Sequence, residues 1–260
     1  MDEFLEFTSQ FYDFTGINLQ SYKRPQMERR LTFLRDKLGF RDFTSFLTAM
    51  RRDPAILHQL LDRMTINVSE FFRNPERWNA LVSKLAQSEI VQEGQRLEAW
   101  SAACSTGEEP YTLAMILDNN FPGLDYHIFA TDIDKTVLNS ARQGRYRDAQ
   151  LKGVPERYRH KYFESSSSTW TVQRALWRKV TFQEHNLLRD DYPKSLDLII
   201  CRNVLIYFTE EAKHYVVTRL ANSLRDGGFL FVGSTEQFLR SETFGLVQVG
   251  PFLYQKRNAP

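Results

Sequence analysis

Apolar residues recur every three or four positions through roughly the first 65 residues, the spacing of helices with one buried face. Phe4, Phe7, Phe11 and Phe14 predict an amphipathic helix ended by Gly16. Pro25 suits the first turn of a second helix, whose Met27, Leu31, Leu34 and Leu38 form its stripe before Gly39. Asp42 is placed to cap a third helix carrying Phe43, Phe46 and Leu47. Pro54 opens a fourth, with Ile56, Leu57, Leu60, Leu61 and Met64. These four make a small helical bundle.

From Leu97 the period changes. Short apolar runs at Leu97–Ala102, His127–Thr131, Val180–Gln183, Leu196–Cys201 and Phe229–Gly233 read as strands. Between them lie helix candidates at Tyr111–Asn119, Lys135–Gln143 and Thr209–Arg225. Strand–helix alternation predicts an α/β fold with a doubly wound parallel sheet covered on both faces. The last segments, Leu246–Val249 and Phe252–Gln255 around Gly250-Pro251, read as a hairpin, so an antiparallel strand closes the sheet. Residues 145–180 interrupt the alternation with a helix near Val154–Tyr162, a loop at Ser165–Ser168 and a strand at Thr169–Val172, an inserted β-subdomain. The expected division is 1–75 for an all-α N-terminal domain with its connector and 76–260 for the sheet domain.

Composition narrows the function. The 260 residues carry 34 basic and 32 acidic side chains, so there is no general attraction to nucleic acid. An apolar run long enough to span a bilayer is missing, and the acidic start Met1-Asp2-Glu3 does not read as a signal peptide. Two cysteines, Cys104 and Cys201, support neither a disulfide framework nor a structural zinc site, and the five histidines show no metal-like pairing. A cytoplasmic protein with no metal is expected.

Four segments carry candidate chemistry. Ser101 to Tyr111 sits where the first strand turns into a helix, the switch point at which open parallel sheets bind ligands. The G-x-G-x-x-G fingerprint is missing, and Glu108 and Glu109 oppose a pyrophosphate. A cation bearing hydroxyls is the better guest, and S-adenosylmethionine fits that description; equally, the two acids complement a helix dipole. Asp132 ends the second strand 25 residues after Gly107, near the spacing of a ribose-gripping acid, whereas Asp134 is placed to cap the next helix. Arg202-Asn203 ends an apolar strand, with Tyr207 shortly after. Thr65 to Arg73 joins the two regions, either as a connector whose Phe71 and Phe72 plug a core or as a lid carrying Arg73 over the ligand.

Together, Asn67-Val68-Ser69-Glu70-Phe71-Phe72-Arg73, Ser101 to Tyr111, Thr131 to Asp134 and Cys201 to Phe208 resemble the chemotaxis receptor methyltransferase (CheR) family, closest to Gram-positive bacterial members. The resemblance spans nearly the whole chain. It implies a Rossmann-like methyltransferase fold and transfer of a methyl group from S-adenosylmethionine to glutamate carboxylates of bacterial chemoreceptors, giving methyl esters and S-adenosylhomocysteine. By motif it implies cofactor contacts from Asn67, Ser69, Arg73, Glu109, Asp132, Asn186, Leu187, Arg202 and Asn203. Arg73, a guanidinium fork suited to a carboxylate, and Tyr207 are the catalytic candidates.

Partners follow from the same reading. Lys23 to Lys37 holds six basic and two acidic residues, and Arg30 and Lys37 flank the apolar stripe on one side, where the family contacts the acidic methylation region of the cytoplasmic receptor domain. Relatives that grip a receptor tail pentapeptide carry a Gly-x-Gly insertion; here Glu164 to Thr169 has serines and no glycine, so no pentapeptide dependence is expected. Neither a nucleic-acid partner nor membrane insertion is expected, and the chain is read as a monomer. The competing readings are a methyltransferase on another substrate and a non-catalytic cofactor-binding scaffold.

Overall fold

The computed structural model describes residues 2–65, 68–238 and 240–257. They form two compact units, Met1–Asn67 with Tyr207–Tyr215, and Val68–Ile206 with Val216–Pro260. The first unit is built on α1 (Glu3–Thr15), α2 (Arg24–Lys37), α3 (Phe43–Arg52) and α4 (Pro54–Met64). Their ends are set by the residues the sequence marks. Asp42 accepts from Ser45 N at 2.7 Å, Pro25 and Pro54 sit in first turns, and Gly16 closes α1 with a φ of 71°. Phe4 and Phe7 pack with Phe43, and Phe7 also with Phe46 and with the buried Phe11, in the bundle core. Phe14, one turn further, is left exposed at the end of the stripe.

The chain returns to this unit late. Tyr22 and Phe208 form an isolated antiparallel bridge, Lys23 N donates to Tyr207 O at 2.8 Å, and Thr209 N donates to Ser21 O at 2.9 Å. Pairing across more than 180 residues leaves no local signature in the sequence.

The second unit begins with α5 (Pro75–Ala86) and α6 (Glu89–Gln92), then β1 (Leu97–Ala102), α7 (Glu108–Asn120), β2 (Tyr126–Asp132) and α8 (Lys135–Gln143). The insertion holds β3 (Arg145–Arg147), α9 (Glu156–Tyr162), β4 (Phe163–Ser166), β5 (Thr169–Val172) and α10 (Arg174–Trp177). There follow β6 (Val180–Glu184), β7 (Leu196–Cys201), α11 (Glu210–Ser223), β8 (Leu224–Val232), β9 (Leu246–Gly250) and β10 (Leu253–Lys256). Helix α11 starts in the first unit and ends in the second.

The main sheet has seven strands in the order β6-β2-β1-β7-β8-β10-β9. The first five strands pair in parallel, and β10 runs antiparallel to both β8 and β9, the latter pair being the terminal hairpin. All six residues of β7 are buried, so both of its faces are covered, as the apolar run Leu198–Cys201 implies; the buried Asp197 before that run accepts from Glu98 N at 2.7 Å. Strand β8 starts five residues before the expected Phe229, because a register shift in its pairing with β7 absorbs Gly227 and Gly228.

The insertion is a three-stranded antiparallel sheet, β3-β5-β4. Part of the expected serine loop belongs to β4, and Ser167-Ser168 forms the tip of its hairpin with β5. Phe71 seats edge-on against Tyr146 and Phe163, at 4.8 and 5.5 Å between centroids, and Phe72 lies 4.8 Å from Tyr158. The connector therefore does plug a core. The cysteines are free and buried, Cys201 at the end of β7 and Cys104 two residues beyond β1, and burial pushes both thiols well above their usual range.

Candidate functional site

The carboxyl ends of β6, β2, β1 and β7 make one rim: Ala102 is in register with Thr131 and Cys201, and Asp132 with Glu184. Strand β1 sits where the connections reverse direction, so the loops after β1 and β7 diverge and leave a crevice. The loop after β1 is built for close approach. Ala103, Ser105 and Gly107 all have positive φ, 63°, 50° and 94°, and only small residues line the turn. At Gly107 a Cβ would lie 3.0 Å from both Ala141 Cβ and Tyr146 Oη, so glycine is needed there to seat α7 against α8.

The two adjacent glutamates divide their work. Glu108 accepts from Thr106 Oγ1 at 2.7 Å and from Gln150 Nε2 at 3.2 Å, which fixes it to the insertion. Glu109 turns to the rim, where it accepts from Ser101 Oγ at 2.8 Å and lies 3.8 Å from Arg202 Nη1. Burial raises its carboxyl to about 7 despite the opposing pull of Arg202 and Ser101.

The two aspartates divide likewise. Asp134 caps α8 by accepting from Thr136 N at 2.8 Å, as its position implied. Asp132 is buried, with Oδ2 accepting from Ser105 N at 2.8 Å and Oδ1 from Asp134 N at 3.0 Å. Each oxygen keeps acceptor capacity, and desolvation lifts the carboxyl to about 6. Beside it, the buried Ser105 Oγ has no hydrogen-bond partner.

Arg202 is a buried hub. Its Nη2 donates to Arg73 O at 3.2 Å and to Asn74 Oδ1 at 3.1 Å, while the guanidinium lies over the rings of Phe231 and Trp78. Its Nε is buried without a partner, and burial lowers its pKa. The Arg73 backbone is pinned further by Trp78 Nε1, 3.1 Å from the same carbonyl. Phe72 and Asn74 on either side have left-handed φ of 53° and 56°, and such strain at a non-glycine residue costs about 1–3 kcal/mol. The half-buried Arg73 guanidinium has no ion pair or hydrogen bond among the described residues, yet its charge acts on both Glu109 and Arg202. The connector that plugs a core with Phe71 and Phe72 also carries Arg73.

Asn186 and Leu187 follow β6, but part of their polar capacity is used locally. Asn186 Oδ1 accepts from Leu188 N at 2.9 Å, and Leu187 O accepts from Tyr192 Oη at 2.7 Å. Ser69 is half-buried in the connector, and Asn203 has a left-handed φ of 62°. Asn67 lies outside the described residues. Arg30 and Tyr207 meet within the helical unit, the guanidinium 5.1 Å from the ring centroid, while Arg30 Nη1 also donates to Met64 O at 3.1 Å. Lys37 is exposed near the end of α2. The sequence reading passed over Ser101, Ser105 as a separate group, and Glu236, whose carboxylate is turned toward the loop after β7.

Two family descriptions fit this architecture. The all-alpha domain of CheR methyltransferases matches residues 2–65, and their SAM binding domain matches residues 67–250. The chain belongs to the CheR methyltransferase family. The chemotaxis protein methyltransferase of Listeria monocytogenes is 39% identical over 254 residues, covering 98% of this chain and 97% of that one. The Listeria innocua counterpart is 37% identical over the same shares, and that of Borreliella burgdorferi 31% identical, covering 98% and 94%. The chain is an S-adenosylmethionine-dependent methyltransferase of this family. The donor set fits the cofactor: the half-buried Glu109 and the buried Asp132, both under-compensated carboxylates, suit a cation with hydroxyls, and the orphaned Ser105 hydroxyl lacks a partner that a polar ligand would supply. Among the described residues no helix is long and apolar enough to cross a membrane.

Proposed function

We propose that the protein methylates glutamate side-chain carboxylates on the cytoplasmic domain of bacterial chemoreceptors. The observation that carries this reading is Arg73, whose charge acts on Glu109 and whose guanidinium, on a strained, pinned backbone, has no ion pair or hydrogen bond among the described residues. Such a group suits an incoming carboxylate. A glutamate with an ordinary pKa of about 4.3 is already ionised at neutral pH, so the reaction needs no general base. When bound, the cofactor supplies a methyl group on a positively charged sulfur. The chain's task is to align the carboxylate and exclude water, and positioning of this kind contributes on the order of 7–11 kcal/mol in favourable cases.

In this reading Asp132 accepts from ribose hydroxyls, with Glu109, Asn67, Ser69, Asn186, Leu187, Arg202 and Asn203 completing the cofactor set. Arg30 and Lys37 on α2 meet the receptor, and Tyr207 serves the transfer site with Arg73. The working division remains 1–75 and 76–260, acting as a cytoplasmic monomer without dependence on a receptor tail pentapeptide.

The test is incubation with methyl-labelled cofactor and receptor-containing membranes, followed by mild alkali. Glutamate methyl esters release the label as methanol. Label that stays on protein, or appears on nucleic acid, contradicts the proposal.

A pH dependence follows from the two raised carboxyls, about 7 at Glu109 and about 6 at Asp132. A cationic ligand favours their ionised forms, so its affinity is fully developed above about pH 7 and falls as pH drops through both values. For the ligand-free protein the sign is opposite. The fold holds protons that an unfolded chain releases near pH 4, so these groups cost stability progressively as pH rises from about 4 to about 7. Calorimetric titration of S-adenosylmethionine between pH 8 and 5.5 should show weakening toward acid, with the upper step absent in Glu109→Gln. A flat profile would contradict the assignment.

A further inference from the structure

Glu236 is fully buried, and its carboxylate accepts four backbone N–H groups: Oε1 from Val204 (2.9 Å) and Leu205 (2.7 Å), Oε2 from Asn203 (2.7 Å) and Gly233 (2.7 Å). Four donors fill both oxygens, the geometry of an ionised carboxylate, and among the described residues no Lys or Arg forms an ion pair with it. Burial still pushes the carboxyl above its usual range, against the pull of these amides. Three of the donors are consecutive residues of the turn after β7. That turn leaves the strand through Arg202 and takes Asn203 into a left-handed conformation, φ 62°.

Gly233 completes the arrangement. A Cβ there would lie 2.3 Å from Glu236 Oε2 and 2.9 Å from Asn203 N, so only glycine leaves room for the carboxylate. The turn so shaped carries Arg202, which holds the Arg73 carbonyl at 3.2 Å and faces Glu109 at 3.8 Å.

We infer that Glu236 is a positioning residue for methyl transfer: by gathering the amides of residues 203–205 and 233 it fixes the turn through which Arg202 orders Arg73 and Glu109. The inference rests on the site described above. Its chemistry is that of a buried carboxylate used as a backbone template, which cannot be replaced by its amide. Glutamine offers one acceptor oxygen and turns an NH2 group toward amide hydrogens, so two of the four bonds become donor–donor contacts.

The experiment measures S-adenosylhomocysteine affinity and methyl-transfer kinetics for wild type, Glu236→Gln, Arg202→Lys and the double variant, with thermal melting to establish folding. Glu236→Gln should lose roughly tenfold or more in affinity or kcat, as expected for hydrogen bonds to a charged group. Because Glu236 acts through Arg202, the double variant should lose little more than the worse single variant. A structural role elsewhere in the fold would instead give additive losses. Should Glu236→Gln not fold, Gly233→Ala displaces the same carboxylate while keeping its charge, and the same pattern is expected. Wild-type affinity and turnover in a folded Glu236→Gln, additive losses, or failure of both variants to fold would each overturn the assignment. Wild-type protein that does not bind S-adenosylhomocysteine would instead refute the underlying site.

Discussion

Arg73→Ala should lose about 10²-fold or more in kcat, the scale on which removing one positioned donor slows a reaction, while keeping measurable affinity for S-adenosylhomocysteine. The split follows from where its contacts lie. The Arg73 carbonyl, which alanine retains, is what Trp78 and Arg202 hold, so the connector should keep its course. What alanine removes is a guanidinium that has no ion pair or hydrogen bond among the described residues. Arg73→Lys is expected to recover only part of the rate, because an ammonium is a point charge and does not present a planar fork. Single-turnover methyl transfer separates this from binding. Wild-type turnover in Arg73→Ala would reject the role.

Asp132→Ala should act on binding first. Loss of hydrogen bonds to an ionised acceptor costs about 1.5–3 kcal/mol, or roughly ten- to a hundredfold in the S-adenosylhomocysteine dissociation constant. Alanine also leaves the amides of Ser105 and Asp134 unpaired, so part of any loss arises from the loop. Asp132→Asn controls for this, since its one carbonyl oxygen keeps an acceptor while the charge is gone. If both variants bind as tightly as wild type, Asp132 is not the ribose ligand. If asparagine restores binding fully, the carboxylate's charge is irrelevant and its role is to shape the loop.

Much of this arrangement was legible along the chain because local rules dictate it. Asp134 precedes an apolar-periodic stretch at cap distance, so its separation from Asp132 could be read directly. The bundle's limits were marked by Gly16, Pro25, Asp42 and Pro54. Helix α5 was equally readable, with Pro75 in its first turn and Trp78, Leu81 and Leu85 buried at helical spacing, but the sequence reading left that stretch unassigned. Glu108 and Glu109 could not be told apart, because neighbours on a helix point about 100° away from each other and only the packing of α7 decides which one faces the rim. Strand β3 contributes one buried residue, Tyr146, between two exposed arginines, too short a pattern to declare itself.

Glu236 shows a different limit. An acid in Gly233-Ser234-Thr235-Glu236 reads as a polar turn, and nothing near it announces that amides some 30 residues earlier will converge on its carboxylate. Only the sheet order, which sets β8 beside β7, brings the two loops together. Relations of this kind are properties of topology, whereas caps, stripes and strand ends are properties of the local chain.

A crystal structure of the complex with S-adenosylhomocysteine tests most directly where the cofactor lies. The ribose hydroxyls should be within hydrogen-bond reach of the Asp132 carboxylate, with the sulfur on the side of the rim that Arg73 and Glu109 occupy. A nucleoside bound elsewhere, or bound with its ribose turned away from Asp132, would contradict that placement.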